Sequence, residues 1–204
     1  MYELEATADA LLMTAQAQPS IAKRSVESIT EAATEAALVT AVLAGDRDMF
    51  GRLYQLYAPL VHGVLLARLP RSEVEDMVQD IFLHAYRKLN TLRDAHAFGP
   101  WIAMIARNRA MDFHRRSRDT VSVDECTADL RSVESSMTKA EEILAIICTL
   151  PDAYRETLVL RLVEGMTGPE IAARTGLTPT SVRVNLHRGM KLLRAKLGFK
   201  EGLL

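Results

Sequence analysis

The sequence predicts an all-α protein: two small helical domains joined by a flexible linker. Ala, Leu, Arg, Glu and Met are plentiful and aromatics few, a mix that favours helix. Apolar residues recur at three- and four-residue spacing on both sides of a central stretch. That stretch, Ser117 to Met137, is rich in Ser, Asp, Thr and Val with no helical period, and it divides the chain. The expected boundaries are 1–35 for a mobile N-terminal extension, 36–116 for the first domain, 117–137 for the linker, 138–197 for the second domain and 198–204 for a fraying tail.

The extension is rich in Ala, Thr, Ser and Glu, and Pro19 interrupts it. Its apolar residues are small or scattered, too few to hold a fold of their own. The first domain opens on a helical block from Ala36 to Leu69. Phe50, Leu53, Tyr54, Leu56, Tyr57, Leu60, Val61, Val64 and Leu65 keep helical spacing there, which makes the block mostly core. Gly45-Asp46 marks a break, and Pro59 either kinks the helix or starts a new one. Pro70-Arg71-Ser72 forms a turn, with Ser72 the candidate cap of the next helix. That helix has Val74, Met77, Val78, Ile81 and Ala85 on one face and Glu73, Asp76, Gln79 and Asp80 on the other. Leu83 projects among the polar residues, and an apolar side chain within an acidic face suggests a partner surface. As paired catalytic carboxylates, Asp76 and Asp80 would lack the His, Cys or Gly-rich loop that such chemistry needs.

Asn90 to Pro100 is expected to be a loop, followed by a helix from Trp101 to Arg116. Trp101, Ile102 and Ile105 form its apolar side. Arg107, Asn108, Arg109, Asp112, His114, Arg115 and Arg116 cover most of the remaining circumference, which is unusual for a core helix. Basic residues interleaved with Phe98, Trp101 and Phe113 suit a track for a nucleic-acid strand with stacking groups. Trp101 itself falls on the apolar side, which favours a core position over a stacking platform.

The second domain starts with a helix from Thr138, broken by Pro151. Asp152 to Val163 follows with Tyr154, Leu158, Val159 and Leu162 inward, and Gly165 ends it. Thr167 followed by Glu170 is a capping box, and Pro169 suits the first helical turn. Gly176 supplies the left-handed turn that closes this short helix. Thr178 caps the last helix and Pro179 opens it. Two short helices joined through a glycine turn form the helix-turn-helix pattern. On the last helix Val182, Leu186, Met190 and Leu193 share one face. Ser181, Val184, Asn185, His187, Arg188 and Lys191 share the other, with Arg183 at its border. Such a face suits a major groove: Arg bonds guanine, Asn bonds adenine, and Val184 meets a thymine methyl.

Net charge is −1, which by itself argues against a nucleic-acid partner. The distribution argues for one. Arg107, Arg109, Arg115, Arg116 and Arg118 stand against Asp112 alone, and Pro151 to Gly198 carries eight Lys or Arg against four acids. The acidic surplus lies elsewhere, notably in Met1 to Phe50. No stretch approaches the roughly 20 apolar residues of a membrane span. No secretory signal opens the chain. Cys126 and Cys148 have no metal-ligand spacing and suit reduced thiols. A cytoplasmic protein without metal, cofactor or catalytic residue is therefore expected.

Two helical domains in this order resemble the sigma factors of bacterial RNA polymerase, specifically the extracytoplasmic-function group of the sigma-70 family, which keeps regions 2 and 4. Three stretches carry the resemblance. Glu75-Asp76-Met77-Val78-Gln79-Asp80-Ile81-Phe82 is similar to the family's ED-x-VQ-(D/E)-x-F segment. Trp101 to Arg116 is similar to its W-(L/I)-x-x-IARNRA-x-D-x-x-RR segment. Leu150-Pro151-Asp152 to Leu193 is similar to its helix-turn-helix region.

The resemblance implies roles by position. Asp76, Gln79, Asp80 and Leu83 would dock on the basic clamp coiled coil of the polymerase β′ subunit. The loop with Asn90, Arg93, His96 and Phe98 would capture a flipped base of the −10 element. Trp101, Arg107, Asn108, Arg109, Asp112, Arg115 and Arg116 would hold the non-template strand and adjacent duplex. Thr180, Ser181, Arg183, Val184, Asn185, His187, Arg188 and Lys191 would read or hold the −35 element, and the rest of that domain would sit on the β-subunit flap. Many members of the family are held inactive by an anti-sigma protein, so such a partner is implied too. The competing reading is a helix-turn-helix regulator that binds a palindrome as a dimer without polymerase, which leaves the acidic and basic helices of the first domain without purpose.

Overall fold

The computed structural model describes residues 35–120 and 138–198. The expected N-terminal extension and tail, and the expected linker beyond Thr120, lie outside the described residues apart from their edges. The described residues form eight α-helices and two short 3-10 turns, with no strand among them.

Helix α1 covers 35–43. The expected break follows: Gly45 takes φ of +105°, and the Asp46 carboxylate accepts from the Asp48 N–H at 3.1 Å. Helix α2 (Asp48–Leu66) runs through Pro59, so the proline does not start a new helix. One lost backbone hydrogen bond is outweighed by the burial of Leu53, Tyr57, Leu60, Val61, Val64 and Leu65. Helix α3 (Arg71–Lys88) begins one residue before Ser72, with Pro70 at the cap position and no side-chain cap. Ser72 is therefore inside the first turn rather than at its cap. Val74, Val78, Ile81, Phe82 and Ala85 are buried as the apolar period requires.

The stretch expected as loop is partly ordered into 3-10 turns, Leu89–Thr91 and Ala95–Ala97. Asp94 supports the second by accepting from the His96 N–H at 3.0 Å. Helix α4 (Phe98–Thr120) starts three residues earlier than Trp101 and extends past Arg116. Pro100 lies in its first turn, where backbone N–H groups have no partner within the helix and none is lost. Ala103, Ala106 and Ala110 are fully buried, so α4 packs closely through small side chains.

The C-terminal lobe comprises α5 (Lys139–Cys148), α6 (Asp152–Leu162), α7 (Gly168–Thr175) and α8 (Pro179–Lys196). Thr138–Glu141 and Thr167–Glu170 both form reciprocal capping boxes. Gly176 takes φ of +76°, and Thr178 Oγ1 accepts from the Ser181 N–H at 3.1 Å. Gly189, buried in α8, faces Tyr154 and Leu158 where α8 crosses α6. Helix α6 has no exposed stripe along its middle: Glu156, Thr157, Leu158, Val159 and Leu160 are all buried. It lies between its own lobe and the first one, packing on both α8 and α2. Helix α4 likewise packs on α7. Buried apolar residues of both lobes merge into one core.

Candidate nucleic-acid interface

Three surfaces were expected from sequence, on α8, on α3 and along α4. On α8 the inward row is Val182, Gly189 and Leu193, with Leu186 and Met190 half-buried. Thr180, Arg183, His187, Arg188 and Lys191 are exposed; Ser181, Val184 and Asn185 are half-buried at the edge of the same face. The caps at Thr167 and Thr178 and the turn at Gly176 fix how that face is aimed. They satisfy the N–H groups that each helix start leaves unpaired.

On α3 Glu73, Asp76, Gln79 and Asp80 are exposed, and Leu83 is 54 % exposed among them. Asp76 and Asp80 have no ion-pair partner among the described residues. Beside Leu83 lies an aromatic cluster: the Phe82 ring is 4.6 Å from Tyr54 and 6.3 Å from Phe50, which in turn lies 4.8 Å from Tyr86. Tyr54 and Tyr86 remain partly exposed, so the acidic face carries an apolar margin.

The residues expected along the strand-holding helix divide into three groups. Phe98 has no exposed surface; its ring sits 4.9 Å from Tyr57 and 5.8 Å from Trp101. It is a core residue in this arrangement, with no face for a base. Trp101 is half-buried beside it. Asn108 and Arg116 are exposed, together with Arg115, which pairs with Asp112 at 2.9 Å. Asn90, Arg93 and His96 are exposed on the preceding segment. Arg109 reaches His84 Nδ1 at 3.2 Å, and burial together with the Arg109 charge lowers the His84 pKa. Arg107 belongs to neither surface: its Nη2 donates to Glu156 Oε1 at 2.7 Å and its Nε to Glu156 Oε2 at 3.1 Å.

Glu156 is one of several residues that sequence reasoning missed. It is 5 % exposed and also accepts from Arg68 Nη2 at 2.5 Å. Burial pushes its carboxyl up, but the bonds and charges of Arg107 and Arg68 outweigh that and hold it below the usual carboxylate range. Around this cluster the lobes make further polar contacts. His62 Nδ1 lies 2.6 Å from Glu164 Oε1, and Arg174 donates to the Leu56 carbonyl at 3.2 Å. Arg155 donates to the Ala67 carbonyl at 3.2 Å, supplying positive charge at the C-terminus of α2, whose last turn has none of its own. Only the unbroken apolar run Leu158-Val159-Leu160 hinted that α6 is covered on two sides.

The contact with Glu164 raises the His62 pKa; burial opposes it, Glu75 adds to it and Arg71 opposes it. The sign follows. His62 favours lobe contact fully at and below its ordinary pKa of 6.5, and that contribution is lost as pH rises through the higher bound value. Thermal midpoints measured across this range should therefore show a component favouring acid pH in the native chain. His62→Ala should remove it; an unchanged profile would mean that the pair contributes nothing.

The sigma-70 region 2 profile matches residues 53–120 and the sigma-70 region 4 profile matches residues 140–193. The RNA polymerase sigma factor CarQ of Myxococcus xanthus is 35 % identical over 164 residues, covering 77 % of this chain and 94 % of CarQ. The chain belongs to the sigma-70 family, in its extracytoplasmic-function group. The ECF RNA polymerase sigma-E factor of Escherichia coli K12 is 28 % identical over 185 residues, covering 83 % of this chain and 97 % of that protein. Among solved structures, CnrH in complex with the cytosolic domain of CnrY superimposes with a TM-score of 0.58 at 25 % identity, over 80 % of this chain and 97 % of CnrH. This sigma factor binds core RNA polymerase and directs it to promoters, and the dimeric-regulator reading finds no support. Region 2 corresponds to α2–α4 and region 4 to α5–α8. No described helix is long and apolar enough to cross a membrane.

Proposed function

We infer that the division of labour within this sigma factor follows the three surfaces. The acidic face of α3, with Asp76, Gln79, Asp80 and Leu83, docks on the β′ clamp. The exposed face of α8 reads the −35 element, with Arg183, Asn185 and Arg188 as base readers and Lys191 on phosphate. The segment from Asn90 to His96 and the exposed side of α4 hold the −10 strand through Arg109, Arg115 and Arg116, a salt-dependent contribution without sequence information. Tethering both readers to one polymerase raises their effective concentration at paired elements. The chain itself performs no chemistry and acts in the cytoplasm. An anti-sigma protein is a further expected partner, since related folds have been captured in complexes of that kind.

The observation that carries this reading is the exposed Leu83 flanked by Asp76 and Asp80, carboxylates whose charge nothing on the described surface neutralises. Co-elution with core RNA polymerase on gel filtration tests it. The native chain is expected to co-elute, and Asp80→Arg, which reverses charge without touching the core, is expected to lose most binding. Equal binding by both would move the docking surface elsewhere.

A further inference from the structure

Arg107, Arg109 and Arg115 of α4 are each held by a side chain, and the partners differ in charge. Arg107 is bonded to the Glu156 carboxylate and Arg115 to the Asp112 carboxylate. Each of those pairings offsets the arginine's charge. Arg109 meets a ring instead: its Nη2 lies 3.2 Å from His84 Nδ1, where α4 packs on α3. Among the described residues Arg109 has no carboxylate within ion-pair distance. A guanidinium has only donors, so Arg109 donates and the ring nitrogen accepts. The ring proton therefore sits on Nε2, and His84 is neutral.

Its surroundings favour that state. Burial, then the charge of Arg109, then those of Lys88 and Arg87 on its own helix, all lower the His84 pKa below its ordinary value of 6.5. The contact is a product of the fold, since His84 and Arg109 are 25 residues apart. Ala85 beside His84 and Ala110 beside Arg109 are fully buried, which fixes both backbones. A free arginine side chain samples many rotamers, and ordering it on binding costs affinity. A neutral acceptor orders Arg109 beforehand and leaves its whole charge for a phosphate.

We propose that His84 is a positioning residue for promoter binding, holding the Arg109 guanidinium ready for a backbone phosphate without offsetting its charge. This role rests on the reading of Arg109 as a contact of the −10 strand. A carboxylate at the same place would hold the guanidinium and silence it.

Holoenzyme made from core RNA polymerase and the full chain, titrated onto a promoter fragment that native holoenzyme transcribes, tests this at several salt concentrations. His84→Ala should weaken binding by about threefold to tenfold. Its salt slope should stay native, because Arg109 keeps its charge. His84→Gln, whose Oε1 can accept the same bond, should recover most of the loss. His84→Glu should weaken binding and lower the slope by about one, as Arg109→Ala does. Adding His84→Ala to Arg109→Ala should cost nothing further. Co-elution with core polymerase should be native for every variant, which separates a DNA defect from a misfolded chain. Nitrogen-15 spectra of the native chain give a second readout that needs no variant to fold: at neutral pH Nδ1 of His84 should be unprotonated and Nε2 protonated. A protonated Nδ1 overturns the proposal. Native affinity in His84→Ala beside a loss in Arg109→Ala overturns the positioning role alone. Additive losses in the double variant overturn it as well, because the ring would then meet DNA by itself. Native affinity in Arg109→Ala removes the −10 reading of Arg109, and the role of His84 falls with it.

Discussion

Replacing Phe98 by Ala is expected to destabilise the protein by about 3–5 kcal/mol, the range for truncating a buried aromatic. The ring has no exposed surface and is held edge-on by Tyr57 and against Trp101, so its loss leaves a cavity between α2 and α4. The walls have little freedom to collapse. Tyr57 is anchored through its hydroxyl to Glu35, and even a Cβ on the neighbouring Gly99 would come within 3.0 Å of Tyr57 and 3.1 Å of the Arg174 backbone. For a chain of this size each kcal/mol moves the unfolding midpoint by about 2–4 °C, so a fall of about 10 °C is expected in a circular-dichroism melt. Phe98→Leu should recover much of it. A loss under about 1 kcal/mol would mean the ring is not packed as described. The residue opens α4 and follows the turn at Ala95–Ala97, so truncation should also loosen the segment proposed to meet the −10 strand. The effect on DNA would then be indirect, through position rather than through stacking.

Gly189 carries the second large effect, and there the size of the new side chain decides the sign. A Cβ at this position would lie 3.0 Å from Leu158 Cδ1 and 3.1 Å from Tyr154 Cβ. Gly189→Ala gains about 0.8–1 kcal/mol of helix propensity and asks the neighbours to yield by a few tenths of an ångström, so the two effects nearly cancel. Gly189→Leu adds three more carbons where α8 crosses α6, and overpacking of that kind costs about 1–3 kcal/mol or more. Since α8 carries the −35 face, a displaced crossing re-aims Arg183, Asn185 and Arg188 as a group. Gly189→Leu is therefore expected to lower the unfolding midpoint and weaken promoter-dependent transcription by the holoenzyme together, while Gly189→Ala leaves both near native. Full activity with Leu would show that the crossing tolerates a large side chain and that the close approach is incidental.

Local signals determined a great deal here. Thr167, Glu170, Gly176, Thr178 and Pro179 act within a few residues of themselves, through caps and one left-handed turn, and the helix-turn-helix follows from them. The helical period of α3 was equally legible, because one side of that helix meets the core and the other meets solvent: Asp76, Gln79, Asp80 and Leu83 all emerge exposed. Boundaries were less so. Proline at the cap position started α3 without Ser72, and tertiary burial carried α2 through Pro59.

What only the tertiary structure decided is where the two lobes meet. Glu156 looks like an ordinary acidic residue of a short helix, and its two arginines are distant in sequence. Their mutual attraction has value only once burial removes competing water, a property of the assembled fold and not of any segment. The same holds for Phe98 and for Ala103, Ala106 and Ala110, whose helix shows only Trp101, Ile102 and Ile105 as an apolar side until α2 and region 4 pack on it. A period along one helix reports how many of its sides are covered, but it cannot name the element that covers them. That choice rests on contacts among residues far apart in the chain, and here it turns the half-buried Arg107 onto the buried Glu156.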